Sequence, residues 1–143
     1  MLLRGRDGQL TLTVLHRTPS QSPREPDIHI QISVTSALFT VAAAQAWLEW
    51  PDIQAFVAEL EELNRKLVGK AEVIAMSPSK FSLTLENMDS KGHIAVTFAI
   101  GGHNVTENGH FESSATSGFE VLPGDVESLL MWFKAVIADA PAA

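Results

Sequence analysis

Cysteine is absent from this 143-residue chain. Disulfides, thiolate nucleophiles and cysteine-held zinc are excluded, and a cytoplasmic address is expected. Basic residues are few: ten Lys and Arg stand against seventeen Asp and Glu, a formal net charge of −7. Binding to nucleic acid needs basic surface against the phosphates, so no nucleic-acid partner is expected. The same acidity permits attraction to a basic protein. Long apolar runs are missing too. The most apolar stretch, Ala37–Leu48, is too short to span a bilayer and holds Thr40 and Gln45. The first seven residues, MLLRGRD, contain no signal-peptide apolar core, so neither membrane nor secretion is expected. A composition of 45% hydrophobic and 19% charged residues, without repeats, predicts one folded domain over residues 1–143.

Motifs for chemistry are equally scarce. Gly101-Gly102 runs into His-Asn-Val, with neither the Lys-Ser/Thr nor the helix that a phosphate loop needs. Ser113, Ser114 and Ser117 lack a nucleophile-elbow pattern. The segment AELEELNRKL places Glu61 four residues before Arg65 and Glu62 four before Lys66. Those spacings suit intrahelical ion pairs on a solvated face better than a buried acid–base dyad. An acidic patch turned toward a partner is the functional use it allows.

Apolar spacing then lays out the elements. Gln9–His16 alternates as a strand, and Asp27–Thr35 puts Ile28, Ile30, Ile32 and Val34 on one face. Thr18–Pro26, with three prolines, predicts a connection between them, and Ser36–Trp47 a third strand. Pro51 opens a helix whose stripe is Ile53, Phe56, Val57, Leu60, Leu63 and Leu67, with Gly69 as its stop. Lys70–Met76, Phe81–Glu86, a strand from His93 and Phe111–Leu122 follow. After Pro123-Gly124, Val126, Leu129, Leu130, Phe133, Val136 and Ile137 make a second helical stripe. The predicted order is βββ-α-ββββ-α. It describes an α+β fold with a mostly antiparallel sheet of about six to seven strands and two amphipathic helices.

Three of the five histidines lie in KGHIAVTFAIGGHNVTENGH, from Lys91 to His110. Asn108-Gly109 is a strong hairpin signal. A two-residue turn there sets Glu107 opposite His110, Phe98 opposite Phe119 and Val96 opposite Val121. On that register His93 and His103 are roughly 33 Å apart and His103 and His110 about 13 Å apart. Zinc ligands must come within about 2.1 Å of one ion, so neither a metal site nor a cofactor is expected. No acid is placed by spacing beside His16 or His29.

The aromatic residues are more informative. Phe56, Phe98, Phe119 and Phe133 fall on the apolar stripes and are expected in the core. Trp132 sits about 100° from its helix stripe and Met131 nearly opposite it. Trp47 and Trp50 precede the first helix. With Glu59 and Glu62, these residues (Trp47, Trp50, Glu59, Glu62, Met131, Trp132) form the candidate partner-binding set. The alternative is that the aromatic ones pack at sheet edges or between layers.

The segments WLEWPDIQAFVAELEEL (residues 47–63), FSLTLENMDSKGHIAVTFAI (residues 81–100) and FEVLPGDVESLLMWFKAVI (residues 119–137) together resemble the WapI-like bacterial immunity proteins. Those proteins neutralise contact-dependent toxins. Where such relatives tend to place Asp-Gln before Ser or Thr, this chain reads Gly124-Asp125-Val126-Glu127. The resemblance implies a non-enzymatic, stoichiometric binder of a toxin domain, with no catalytic residue to carry over. Two other functions fit the chain. A small-ligand-binding β-domain would turn Gln31, Thr97 or Ser113 into a pocket between sheet and helices. A small hydrolase would hold His29 or His93 in a cleft beside a carboxylate. Homo-oligomerisation is compatible with the exposed apolar residues.

Overall fold

The computed structural model describes residues 1–19 and 26–138. Four strands come first: β1 (Leu2–Arg4), β2 (Gly8–Arg17), β3 (Ile28–Ser36) and β4 (Thr40–Leu48). Helix α1 (Trp50–Lys66) leads to β5 (Lys70–Ile74), β6 (Phe81–Asn87), β7 (Ile94–Thr106) and β8 (Gly109–Val121), and α2 (Pro123–Ala138) follows. The fold is α+β, as expected, with two corrections. The described residues form eight strands, because Leu2–Arg4 adds one before the first that alternation revealed. They form two sheets of four, ordered β1-β2-β3-β4 and β5-β6-β7-β8, rather than one. Three residues are too few to show a period, which is why β1 escaped notice. Most of the proline-rich connection lies outside the described residues.

Neighbouring strands in both sheets are antiparallel. Alternation decides which face each sheet buries. Ile28, Ile30, Ile32 and Val34 of β3 point inward, as do Leu83 and Leu85 of β6 and Ile94, Val96, Phe98 and Ile100 of β7. The helix stripes meet them through Ile53, Phe56, Leu60 and Leu63 of α1 and Val126, Leu129, Leu130 and Phe133 of α2. Together they form one buried cluster, and among the described residues no polar or charged side chain is buried. Phe56 and Phe133 meet edge to face at 5.3 Å where the helices cross.

Local chemistry sets the helix ends. Glu49 is the N-cap but makes no side-chain cap bond. Asp27, just before β3, instead accepts the Trp50 N–H at 2.8 Å and satisfies one of the free donors of α1. The helix stops at Leu67, in the left-handed conformation at φ 54°, whose N–H donates to Leu63 O at 2.8 Å. The stop thus precedes Gly69, and Leu67 belongs to the cap rather than to the helical stripe.

Two bulges re-aim side chains. In β2 the register with β3 changes between Val14 and His16, leaving Leu15 as the extra residue. A regular strand would turn His16 to the face of Leu10 and Leu12. The bulge carries it to the opposite face, directly across from His29. In β4, Ala42 and Ala43 together oppose Ser33, whose hydroxyl donates to Ala42 O at 2.7 Å.

The β7–β8 hairpin turns at Glu107-Asn108, with Thr106 opposite Gly109. The expected register is therefore off by two residues: Phe98 faces Ser117, and Phe119 faces Val96. A shift of two keeps every side chain on its expected face, so Phe98 still reaches Phe119, diagonally, at 6.4 Å between rings. The Phe119 ring covers the β1–β2 turn so closely that a Cβ at Gly5 would come 2.7 Å from it.

Candidate protein-interaction surface

The six candidate residues lie on three elements: Trp47 on β4, Trp50, Glu59 and Glu62 on α1, and Met131 and Trp132 on α2. Trp50 and Trp132 are half-buried and packed against the core; the Trp132 ring stands edge-on to Phe133 at 4.9 Å. Each thus packs against the core and keeps part of its surface in solvent. Met131 is 58% exposed on α2. Glu59 and Glu62 line a shallow groove on α1 of about 290 Å³, with Val68, Gly69 and Lys70 as its far wall. Glu62 takes both nearby cations, Arg65 at 2.6 Å and Lys66 at 3.1 Å. The Arg65 and Lys66 bonds hold its carboxyl below the usual carboxylate range, Arg65 most strongly. Glu61 reaches across to Lys134 of α2 at 2.8 Å instead of pairing with Arg65. Tertiary proximity of the helices diverts it, which a single-helix spacing rule cannot foresee. Among the described residues Glu59 has no ion pair.

Trp47 lies on the outer face of the first sheet. His29 stacks on it at 4.7 Å with the planes 6° apart, and His16 meets it edge-on at 5.8 Å. The three rings make a row across β2, β3 and β4. Sequence reasoning missed it because the Leu15 bulge, which turns His16 outward, leaves no mark on the alternating pattern.

The other histidines sit elsewhere. His103 and His110 were expected some 13 Å apart, but their rings are 5.2 Å apart. The two-residue register shift makes them diagonal neighbours. Among the described residues no group of three or more His, Asp or Glu is placed to hold a metal ion. His93 Nδ1 is 2.6 Å from Asp89 Oδ2 at the turn before β7. Asp89 also accepts the Lys91 N–H at 2.8 Å. Its carboxyl is held below its usual range, chiefly by the His93 bond, and that bond with the nearby Glu120 raises the imidazole. This is the acid–imidazole contact a hydrolase would need. The side chains are, however, 41% and 40% exposed on a turn, and the pair secures a loop in water.

A larger groove opens between β4 and the outer half of the β7–β8 hairpin. Val41, Ala43, Ala44 and Gln45 line a groove of about 470 Å³ with Lys80, Gly101, Gly102, His103 and Ser113–Ala115. Gly101 is there for close approach: a Cβ on it would lie 1.9 Å from the Ser79 carbonyl oxygen. Its N–H donates to Lys80 O at 3.0 Å, tying the β5–β6 turn to the hairpin.

Fold and surface define the class: an α+β protein of two four-stranded antiparallel sheets and two helices, displaying aromatic and uncharged surface along one sheet edge. Within that class the chain belongs to the immunity protein WapI-like family, whose model matches residues 1–141. No curated protein and no solved structure matches it. No helix among the described residues is long and apolar enough to cross a membrane.

Proposed function

We propose that this protein is a non-enzymatic immunity protein, acting in the cytoplasm, that neutralises a cognate toxin domain by stoichiometric binding. The observation that carries this is the family match over residues 1–141. The surface supports it. A toxin that attacks RNA or DNA presents basic surface, and a chain of net charge −7 is steered toward it. Glu59, without an ion pair among the described residues, and Glu62 edge the α1 groove beside Val68, which is 66% exposed. An exposed Glu62 and a half-buried Glu59 around an apolar floor suit a basic, partly apolar partner. The Trp47–His29–His16 row offers rigid aromatic contact area on the other sheet face.

A ligand pocket between sheet and helices has less support. Gln31 and Thr97 point away from the core, and Ser113 lies on the open hairpin.

Isothermal titration against the toxic C-terminal domain encoded just upstream tests the proposal. One-to-one binding tighter than micromolar is expected. Glu59→Lys with Glu62→Lys should slow association and flatten its salt dependence, since steering acts on the on-rate. Absence of binding at micromolar concentration would overturn the function.

A further inference from the structure

Each sheet has two edges, and three of the four edge strands carry charge. β1 has Arg4, β5 has Lys70 and Glu72, and β8 has Glu112 and Glu120. β4, TVAAAQAWL, has none. Charge on an edge strand guards it against pairing with another chain. β4 lacks that guard, and its bulge at Ala42-Ala43 is its one irregularity.

Its backbone shows which groups are open. The Met76 N–H donates to Trp47 O at 2.9 Å from the side away from β3. The Trp47 carbonyl therefore points outward. In an antiparallel ladder alternate residues point both backbone groups the same way, so those of Gln45 point outward too. Met76 covers one end of this edge. Beside Gln45 and toward Val41 the edge faces the 470 Å³ groove. The groove's floor includes Gly102, where a Cβ would meet no atom within 4 Å, and this leaves room for a backbone; at Gly101 the Ser79 carbonyl fills that space. Its cation, Lys80, has no ion pair among the described residues and also borders the two smaller grooves on either side.

We infer that the toxin partner inserts an extended segment into this groove and pairs with β4 along Val41–Gln45, extending the first sheet by one strand. The segment has small uncharged side chains over Gly102 and a carboxylate at Lys80. Charge complementarity favours this occupant over a second copy of the chain, because β4 itself would bring no carboxylate to Lys80. Backbone pairing supplies affinity, and the Lys80 contact supplies register. The inference rests on the immunity function proposed above.

Amide hydrogen exchange and titration calorimetry with the same toxin domain test it. The Gln45 amide should become protected in the complex. Gln45→Pro removes an outward donor without removing a bond to β3, a change that edge strands tolerate. It should weaken binding at least tenfold, and Lys80→Glu should do the same without altering the fold. If the complex forms while the Gln45 amide stays unprotected and both variants bind within twofold of the parent, the inference is overturned and the immunity function stands. Protection that appears in the chain alone and rises with its concentration would assign the edge to a second copy and also overturn it. If no complex forms, the immunity function and this inference fall together.

Discussion

The β7–β8 hairpin is one ladder with two different halves. At its root, Ile94, Val96, Phe98 and Ile100 are all at most 5% exposed. Toward its tip the same inward-facing positions become Gly102 and Asn104, opposite Ser113 and Phe111, and Phe111 is 59% exposed. Pairing is continuous across both halves, so hydrogen bonding does not distinguish them. What changes is whether another layer lies beneath. Stability concentrates where the sheet is covered, and the uncovered half is left free for contact.

That contrast can be broken by substitution. Phe98→Ala at the root should cost about 3–5 kcal/mol in chemical denaturation, the usual range for deleting a buried ring. At the boundary, Gly101→Ala should cost about 1–3 kcal/mol, because the Ser79 carbonyl must give way. Gly102→Ala next to it meets no atom within 4 Å and should leave the midpoint nearly unchanged. Phe111→Ala at the tip should change stability by less than about 0.5 kcal/mol. A large loss there would show that the tip is covered after all.

The smallest effect sharpens the comparison at the base of the hairpin, where His93 pairs with Asp89. The His93 imidazole is raised by its partner, so the pair's contribution to stability is full below the ordinary imidazole value of about 6.5. It fades as pH rises through the higher folded value. On the acid side the depressed Asp89 carboxyl sustains it until pH falls through the folded Asp89 value. NMR titration should show a His93 midpoint above the ordinary value, returning to it in Asp89→Asn. An unmoved midpoint in that variant would discard the pair as the cause.

Much of the fold was legible in the chain. The alternation of β3 and the stripes of α1 and α2 predicted which faces are buried, and Phe56, Phe98 and Phe133 lie in the core as expected. The hairpin register was not legible. Registers two residues apart put the same side chains on the same faces, so patterning cannot choose between them. In the structure Phe119 covers Gly5 and Gly8 of the β1–β2 turn, a contact with a distant part of the chain. The candidate surface was legible only in part. That Glu59 and Glu62 lie near each other on α1 was legible because helical spacing is local. Trp50 and Trp132 also pack against the core, which a helical wheel cannot show because it carries no information about neighbouring elements.

The amino-acid order alone determined the strand and helix faces, the acidic balance and the exclusion of thiol chemistry, since each depends on residues within a few positions or on totals. The tertiary structure decided the two-sheet division, the bulge that turns His16 outward, the meeting of His103 with His110, and the open uncharged edge of β4. Those depend on which distant segments become neighbours, and a strand's own period carries no information about what lies beside it.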